Sequence, residues 1–500
     1  MSRKATTRWH FTFQVLDVGL SVVSGLVLIP LYLNFMPKET YGAWLATGNI
    51  LVWITAVDPG LTAVLEQRIA SAYGEENYRR IQNLLTSGLL ITGVIAVLVL
   101  GTGLALSTIV ASLIKLGSVN PELITSAFEV AVLGTALTVF SYGLYGMSKG
   151  LQGTLASGII LIAKKAVEIG VTIRLLYAGY GLMAIPWGKV VGAGIIVAGN
   201  AGYLIWRTTR EQKVALRRVS GRKVIELARL MGYNLFGRAS NVIATNVDSF
   251  IVGRYIGSDS VAVYRLTKKA PDLVKMFINR ATVAFMPATS HIWGEGNIER
   301  AREVLLRVVS YLIWGLGLSI GGMLAFNDDF VRLWVGSDLY AGRGVNSLIC
   351  ALIVALVLTK SLSNLCYALG NIKGNSIAGG VQSFLYVGAS LLGAIKFGIE
   401  GLIVGAIISN ILVTHWYYIH KFYYLLKLRV VDIKNILLEL VLSSFVLTFV
   451  LYVFSIIHIS NWTDFSLGVL SLIISYVIGI YILSSSFREE VSYFFRLIKS

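Results

Sequence analysis

The chain has 500 residues, of which 56% are hydrophobic and only 14% charged, with a formal net charge of +17. Soluble proteins carry about 25% charged residues, so this composition excludes a water-soluble globular enzyme. A helix needs about 20 largely apolar residues to cross a bilayer; such stretches follow one another here with short loops between them, and no soluble domain fits in what remains.

Residues 1–10 are polar and basic (Arg3, Lys4, Arg8), and the apolar run behind them is too long for the core of a cleaved leader. It predicts an uncleaved first span over 11–36. Further spans are expected over 41–66, 83–107, 124–148, 153–178, 183–206, 230–256, 261–289, 304–326, 344–369, 375–397, 399–421, 436–458 and 464–484. The expected fold class is therefore an all-α polytopic membrane protein of about 14 transmembrane helices. An even number places both termini on one side. Lys and Arg concentrate in the loops of that side, which the positive-inside rule assigns to the cytoplasm.

The longest inner connection, Arg207 to Arg229, carries eight basic residues and reads as a linker lying on anionic lipid. The expected organisation is an N-terminal six-helix lobe (1–206), this basic linker (207–229), a C-terminal six-helix lobe (230–424), and two additional helices with an amphipathic tail (425–500). The lobes are related in sequence. Adding 220 converts Gly74, Glu75, Asn77 and Arg80 into Gly294, Glu295, Asn297 and Arg300, and Gly181-Leu182 into Gly401-Leu402. A shift of 224 relates Gly146, Lys149 and Gly150 to Gly370, Lys373 and Gly374. A duplicated bundle points to secondary transport by alternating access, with the substrate site between the repeats.

The eighth span is the most informative segment. Arg265, Lys268, Lys269, Asp272, Lys275 and Arg280 fall within roughly 140° of arc on a continuous helix, with Asn279 on the same face. Each charge at the bilayer centre costs about 2.5–3.5 kcal/mol, so this face must line protein or a water-filled cavity. Five cations against one carboxylate favour an anionic ligand, and phosphate or pyrophosphate is the natural match. Arg238, Arg254, Lys164, Lys165, Arg174 and Lys360 in other spans add to the same chemistry. Glu168 and Asp248 either neutralise neighbouring cations or take part in coupling. Asp58, before Pro59-Gly60, either caps a restarted helix or joins Asp17 and Asp272 as a carboxylate for a coupling proton or sodium ion.

The sequence holds no GxxxxGK phosphate loop, no HExxH and no paired-Cys motif. Cys350 and Cys366 lie in one expected helix, so no disulfide framework is available, and no metal, nucleotide or nucleic acid is expected. The sequon Asn461-Trp462-Thr463 matters only in a host that glycosylates.

Tyr41-Gly42-Ala43-Trp44 leading to Asp58-Pro59-Gly60-Leu61 resembles the YGxW…DxGL pattern of the polysaccharide-biosynthesis flippases. These form the O-antigen (Wzx-type) branch of the multidrug/oligosaccharidyl-lipid/polysaccharide (MOP) exporter superfamily. Asn246-Val247-Asp248 with Gly253 and Ile256-Gly257, Val261-Ala262-Val263-Tyr264, and Leu333-Trp334-Val335-Gly336 are similar too. The resemblance implies spans one, two, seven and eight around a central cavity, and translocation of undecaprenyl-pyrophosphate-linked oligosaccharide to the outer leaflet of a bacterial inner membrane. It implies a head-group-binding role for Arg238, Arg265, Lys268, Lys269, Lys275 and Arg280. Partners would be the lipid-linked sugar, the bilayer, and the polymerase and chain-length regulator of the same pathway. The alternatives are a MATE-like exporter of the same superfamily, which the cations of span eight disfavour, a membrane glycosyltransferase or polymerase, for which the longest outer loop of roughly 17 residues is far short of a domain, and a non-transporting scaffold.

Overall fold

The computed structural model describes the chain except for residues 1–2, 56–59, 211–223, 226–241, 243–245, 455–456, 458 and 500. Arg238, Asp58, most of the basic linker and the first part of the seventh span lie outside the described residues. The described residues form helices and turns with no strand. In chain order the helices are α1 (Arg3–Phe35), α2 (Lys38–Ile54), α3 (Leu61–Gly74), α4 (Tyr78–Val110), α5 (Pro121–Gly150), α6 (Thr154–Tyr177) and α7 (Ala184–Arg210). Then follow α8 (residues 246–255), α9 (Ser258–Thr267), α10 (Lys269–Gly294), α11 (Ile298–Val335), α12 (Arg343–Ala368), α13 (Ile372–Asn410), α14 (Trp416–Leu426), α15 (Val430–Phe454), α16 (Trp462–Leu483) and α17 (Ser485–Lys499).

Among the described residues, nine helical stretches are long and apolar enough to cross a membrane. One of them, Lys373–Leu426, covers two expected spans, because Phe397 and Gly398 (φ +63°) leave helical geometry where a span boundary was expected. Expected spans two, five, seven and eight are not among the nine. Span two is divided into α2 and α3, span seven is incompletely described, and spans five and eight carry the charges.

Contacts group the chain into two units, Met1–Ala262 and Val263–Ser500, the division falling inside α9. In the first unit α5 packs on α3, α4 and α7, and α1 and α7 pack on α6. The family-like glycines serve this packing. A Cβ on Gly42 would collide with the Ser258 carbonyl, and one on Gly253 would lie 2.7 Å from Ala46, so α2 meets α8 and the start of α9 backbone to backbone. Lys115 and Ser258 join the adjoining loops through Lys115 N–H to Gly253 O (2.8 Å) and Ser258 N–H to Lys115 O (3.2 Å). In the second unit α12 packs on α10 and α13, while α11 carries α15 and α16.

The duplicated segment has a duplicated geometry. Asn77 Oδ1 accepts from Arg80 N–H, and Asn297 Oδ1 from Arg300 N–H, each at 3.0 Å. Both asparagines cap helices that begin 220 residues apart, Tyr78 and Ile298. Arg80 pairs with Glu75 at 2.8 Å, and Arg300 with Glu295 at 3.5 Å. The next correspondence differs from expectation. After α5, Leu151, Gln152 and Gly153 donate to Met147, Lys149 and Ser148; after α12, Leu369, Gly370 and Asn371 donate to Leu365, Tyr367 and Cys366. That offset is 218, not 224, because the left-handed position closing the helix is Gln152 in one repeat (φ +64°) and Gly370 in the other (φ +89°). The glycines and lysine matched at 224 hold different places in the two repeats.

The tail beyond Arg488, expected to be amphipathic, forms α17. Tyr311 donates to Glu490 at 2.6 Å and Arg307 pairs with it at 3.3 Å, tying α17 to α11. Tyr493, Phe494 and Phe495 remain exposed. In the sequon, Asn461 caps α16 by accepting from Asp464 N–H at 2.9 Å.

Candidate functional site

Pro271 shapes the charged segment of the second unit. It has no N–H to give the Thr267 carbonyl four residues back, and the helix is interrupted by a turn at Lys268, between α9 and α10. The vacated carbonyl is taken by Asn327 of α11, whose Nδ2 donates to it at 2.9 Å and to Asn346 Oδ1 of α12 at 2.7 Å. Asn346 Nδ2 donates to Met323 O at 3.1 Å, and Thr267 Oγ1 accepts from Ala341 N–H at 2.8 Å. Two buried asparagines thus hold the bend. The turn interrupts the helix expected over span eight, and Lys268 is buried there, with its ammonium 3.1 Å from Tyr264 Oη.

Around that bend, Lys275 pairs with Asp272 at 2.7 Å, and Lys268 and Arg265 also act electrostatically on Asp272. Lys269 feels the like charge of Arg265. Among the described residues, Arg265 and Lys269 have no hydrogen-bond or ion-pair partner. Asp272 thus interacts with four cations, Arg265, Lys268, Lys269 and Lys275, of which Lys268 has a further partner. Asn279 Oδ1 is buried with no hydrogen-bond partner among the described residues. Arg280 is exposed farther down α10, and Lys360 is exposed on α12.

In the first unit the expected residues meet on α1 and α6. Lys165 Nζ lies 2.8 Å from Ser21 Oγ and 4.0 Å from Asp17, while Lys164 pairs with Glu168 at 2.7 Å. Glu168 thus has the neutralising contact weighed for it in the sequence. Arg174 is exposed in the last turn of α6, away from this group in sequence. Arg254 is engaged elsewhere: its guanidinium donates to Ser112 O at 2.7 Å, securing the loop after α4. Asp248 is buried on α8 and has an interaction partner. The sequence reading missed Lys189 of α7, whose ammonium lies 5.6 Å from the Trp44 ring centre. Its signal was periodicity, since Lys189 heads the stripe Ala193, Ile196, Asn200 and Leu204 that α7 buries.

A family profile described as "Polysaccharide biosynthesis protein" matches residues 7–293, more than half of the chain. The chain belongs to the polysaccharide biosynthesis protein family. A second profile, MatE, matches residues 235–388. No curated protein matches significantly.

Solved structures are similar in fold. "Lipid II flippase MurJ, inward closed conformation" aligns with a TM-score of 0.70 at 15% identity, covering 96% of this chain and 99% of that one. An inward-facing multidrug resistance MATE family transporter of the MOP superfamily gives 0.68 at 16% identity, covering 82% and 95%. The Vibrio cholerae MATE transporter VcmN in the bent form gives 0.51 at 16%, covering 85% and 98%. The chain shares the fold of these MOP transporters and flippases, and nine of its described helical stretches are long and apolar enough to cross a membrane.

Proposed function

We propose that this family member translocates an undecaprenyl-pyrophosphate-linked oligosaccharide, an O-antigen or similar repeat unit, from the cytoplasmic to the outer leaflet of a bacterial inner membrane by alternating access. The observation that carries the reading is the cluster at the α9–α10 turn, where Arg265, Lys268, Lys269 and Lys275 all interact with Asp272. Cations inside membrane-crossing helices cost too much to keep without a role, and a diphosphate offers several acceptor oxygens to Lys and Arg donors. Arg265 and Lys269, which have no hydrogen-bond or ion-pair partner among the described residues, are the first contacts; Arg238, Arg280, Asn279 and Lys360 extend the lining in this reading. Asp17, Asp272 and Glu168, each beside a lysine, are the carboxylates proposed to sense a coupling proton or sodium ion, together with Asp58 and Asp248. Protein-dependent flipping of a fluorescent pyrophosphate-linked oligosaccharide lipid in vesicles tests this, with the lipid lacking its diphosphate as control.

A second reading, export of a small soluble molecule, is favoured by the MatE match over 235–388. The positive cluster then demands an anionic cargo. Competition decides between the two: a water-soluble sugar diphosphate that blocks lipid flipping without being transported supports the flippase.

A further inference from the structure

Lys189 sits on the interior stripe of α7, four residues before the buried Ala193 and seven before the buried Ile196. That stripe packs within the first unit, whereas Trp187 and Val191 on the other side of the helix are exposed. Yet Lys189 itself is accessible, although it stands on the packed side of the helix, where Ile185, Ala193 and Ile196 are buried. Its ammonium stands over the ring of Trp44, the tryptophan of the YGAW segment, which is itself buried.

The neighbouring interior lysines are matched. Lys164 has Glu168, Lys165 has Ser21 and Asp17, and Lys149 has Glu66 at 2.9 Å. Lys189 has no hydrogen bond or ion pair among the described residues. It feels the charge of Glu168 from beyond contact, but that carboxylate is already taken by Lys164. An interior ammonium that is aimed by an aromatic ring and has an open approach is suited to an anion that comes and goes.

We infer that Lys189, positioned on Trp44, is an anion-binding residue of the first unit, taking an acidic group of the transported molecule independently of the cluster on α9 and α10. The inference rests on the reading of the chain as a lipid-linked sugar transporter. The acidic group has two sources, the diphosphate of the carrier lipid or a carboxylate on the sugar. One charge-assisted contact of this kind is worth about ten- to a hundredfold in affinity.

The experiment compares the native protein with K189Q and K189R in detergent and in vesicles. The probes are inorganic pyrophosphate, glucuronate, a polyprenyl diphosphate carrying a neutral disaccharide, and the same lipid carrying a uronic acid. The expected result is at least tenfold weaker binding of one anion class by K189Q, with recovery in K189R and unchanged thermal unfolding. A loss on pyrophosphate and both lipids assigns the diphosphate; a loss on glucuronate and the uronic lipid alone assigns the sugar acid. Equal affinities of native and K189Q protein for all four probes overturn the inference. Lys189-dependent binding of pyrophosphate by a native protein that flips neither lipid would overturn the flippase reading and leave the site standing.

Discussion

Asn327 Nδ2 donates to the Thr267 carbonyl, 2.9 Å away, which Pro271 leaves without its helical partner. The bend that separates α9 from α10 is therefore a specified feature, set by a proline on one helix and an asparagine on another. It also decides where Lys268 and Lys269 stand, because the turn falls between Thr267 and Lys269.

Replacing Asn327 by Ala leaves a buried carbonyl unsatisfied and should cost about 1–3 kcal/mol of stability. Pro271→Ala supplies an N–H to the same carbonyl, so N327A should cost less in that background. A coupling of about 1 kcal/mol between the two substitutions, measured by chemical unfolding, is expected. Strict additivity would show that the carbonyl is not the shared element.

The duplicated loops predict an asymmetric response. Glu76 occupies the left-handed region at φ +54°, where the repeat has Gly296 at φ +75°. Glu76→Gly should stabilise by about 0.5–1 kcal/mol, and Gly296→Ala should destabilise by about 1 kcal/mol. No atom lies within 4 Å of a Cβ at Gly296, so the second effect is one of backbone conformation alone. Thermal unfolding of the two variants checks both signs.

Glu75 supplies a pH test. A hydrogen bond from Ser71, and then the Arg80 guanidinium, hold its carboxyl below the ordinary glutamate range. A lowered carboxylate pKa gives stability that is complete above the ordinary value and lost as pH falls through the lowered one. Amide-exchange protection at residues 75–81 should be flat from pH 5 to 8, fall on further acidification, and lose that fall in E75Q. Both partners are exposed, so high salt should weaken the effect.

The docked tail makes a further prediction. Glu439 of α15 accepts from Trp314 Nε1 at 2.8 Å and from Ser484 Oγ at 2.8 Å, while Ser484 Oγ accepts from Phe487 N–H at 3.0 Å. Glu439→Ala leaves these donors unpaired and should release α17. Faster hydrogen exchange confined to residues 485–499 is the expected outcome. Unchanged exchange there would show that Tyr311 and Arg307 suffice to hold the helix.

The long apolar helices were legible in the sequence because bilayer length and apolar composition leave little choice between Tyr78 and Val110 or between Arg343 and Ala368. The Asn77 and Asn297 caps were visible through an exact repeat at one spacing. The bend at Lys268 was not, although Pro271 stands in the sequence, because a proline can kink, end or merely start a helix, and the choice depends on Asn327 fifty-six residues away. Lys189 escaped notice because it is a single charge in an apolar helix, and its significance comes from having no hydrogen bond or ion pair among the described residues, which only packing reveals. Arg254 shows another contact the sequence hides: its guanidinium donates to a backbone carbonyl of the loop after α4.

The cationic cluster is tested by reconstituting the native chain and the Lys268, Lys269 and Lys275 triple glutamine variant in vesicles with a fluorescent pyrophosphate-linked oligosaccharide lipid. The measured quantity is protein-dependent loss of the inward-facing lipid pool. Flipping by the native chain and its loss in a variant of unchanged helicity and unfolding temperature is the predicted result. Undiminished flipping by the triple variant would contradict the assignment of the head group to the α9–α10 bend.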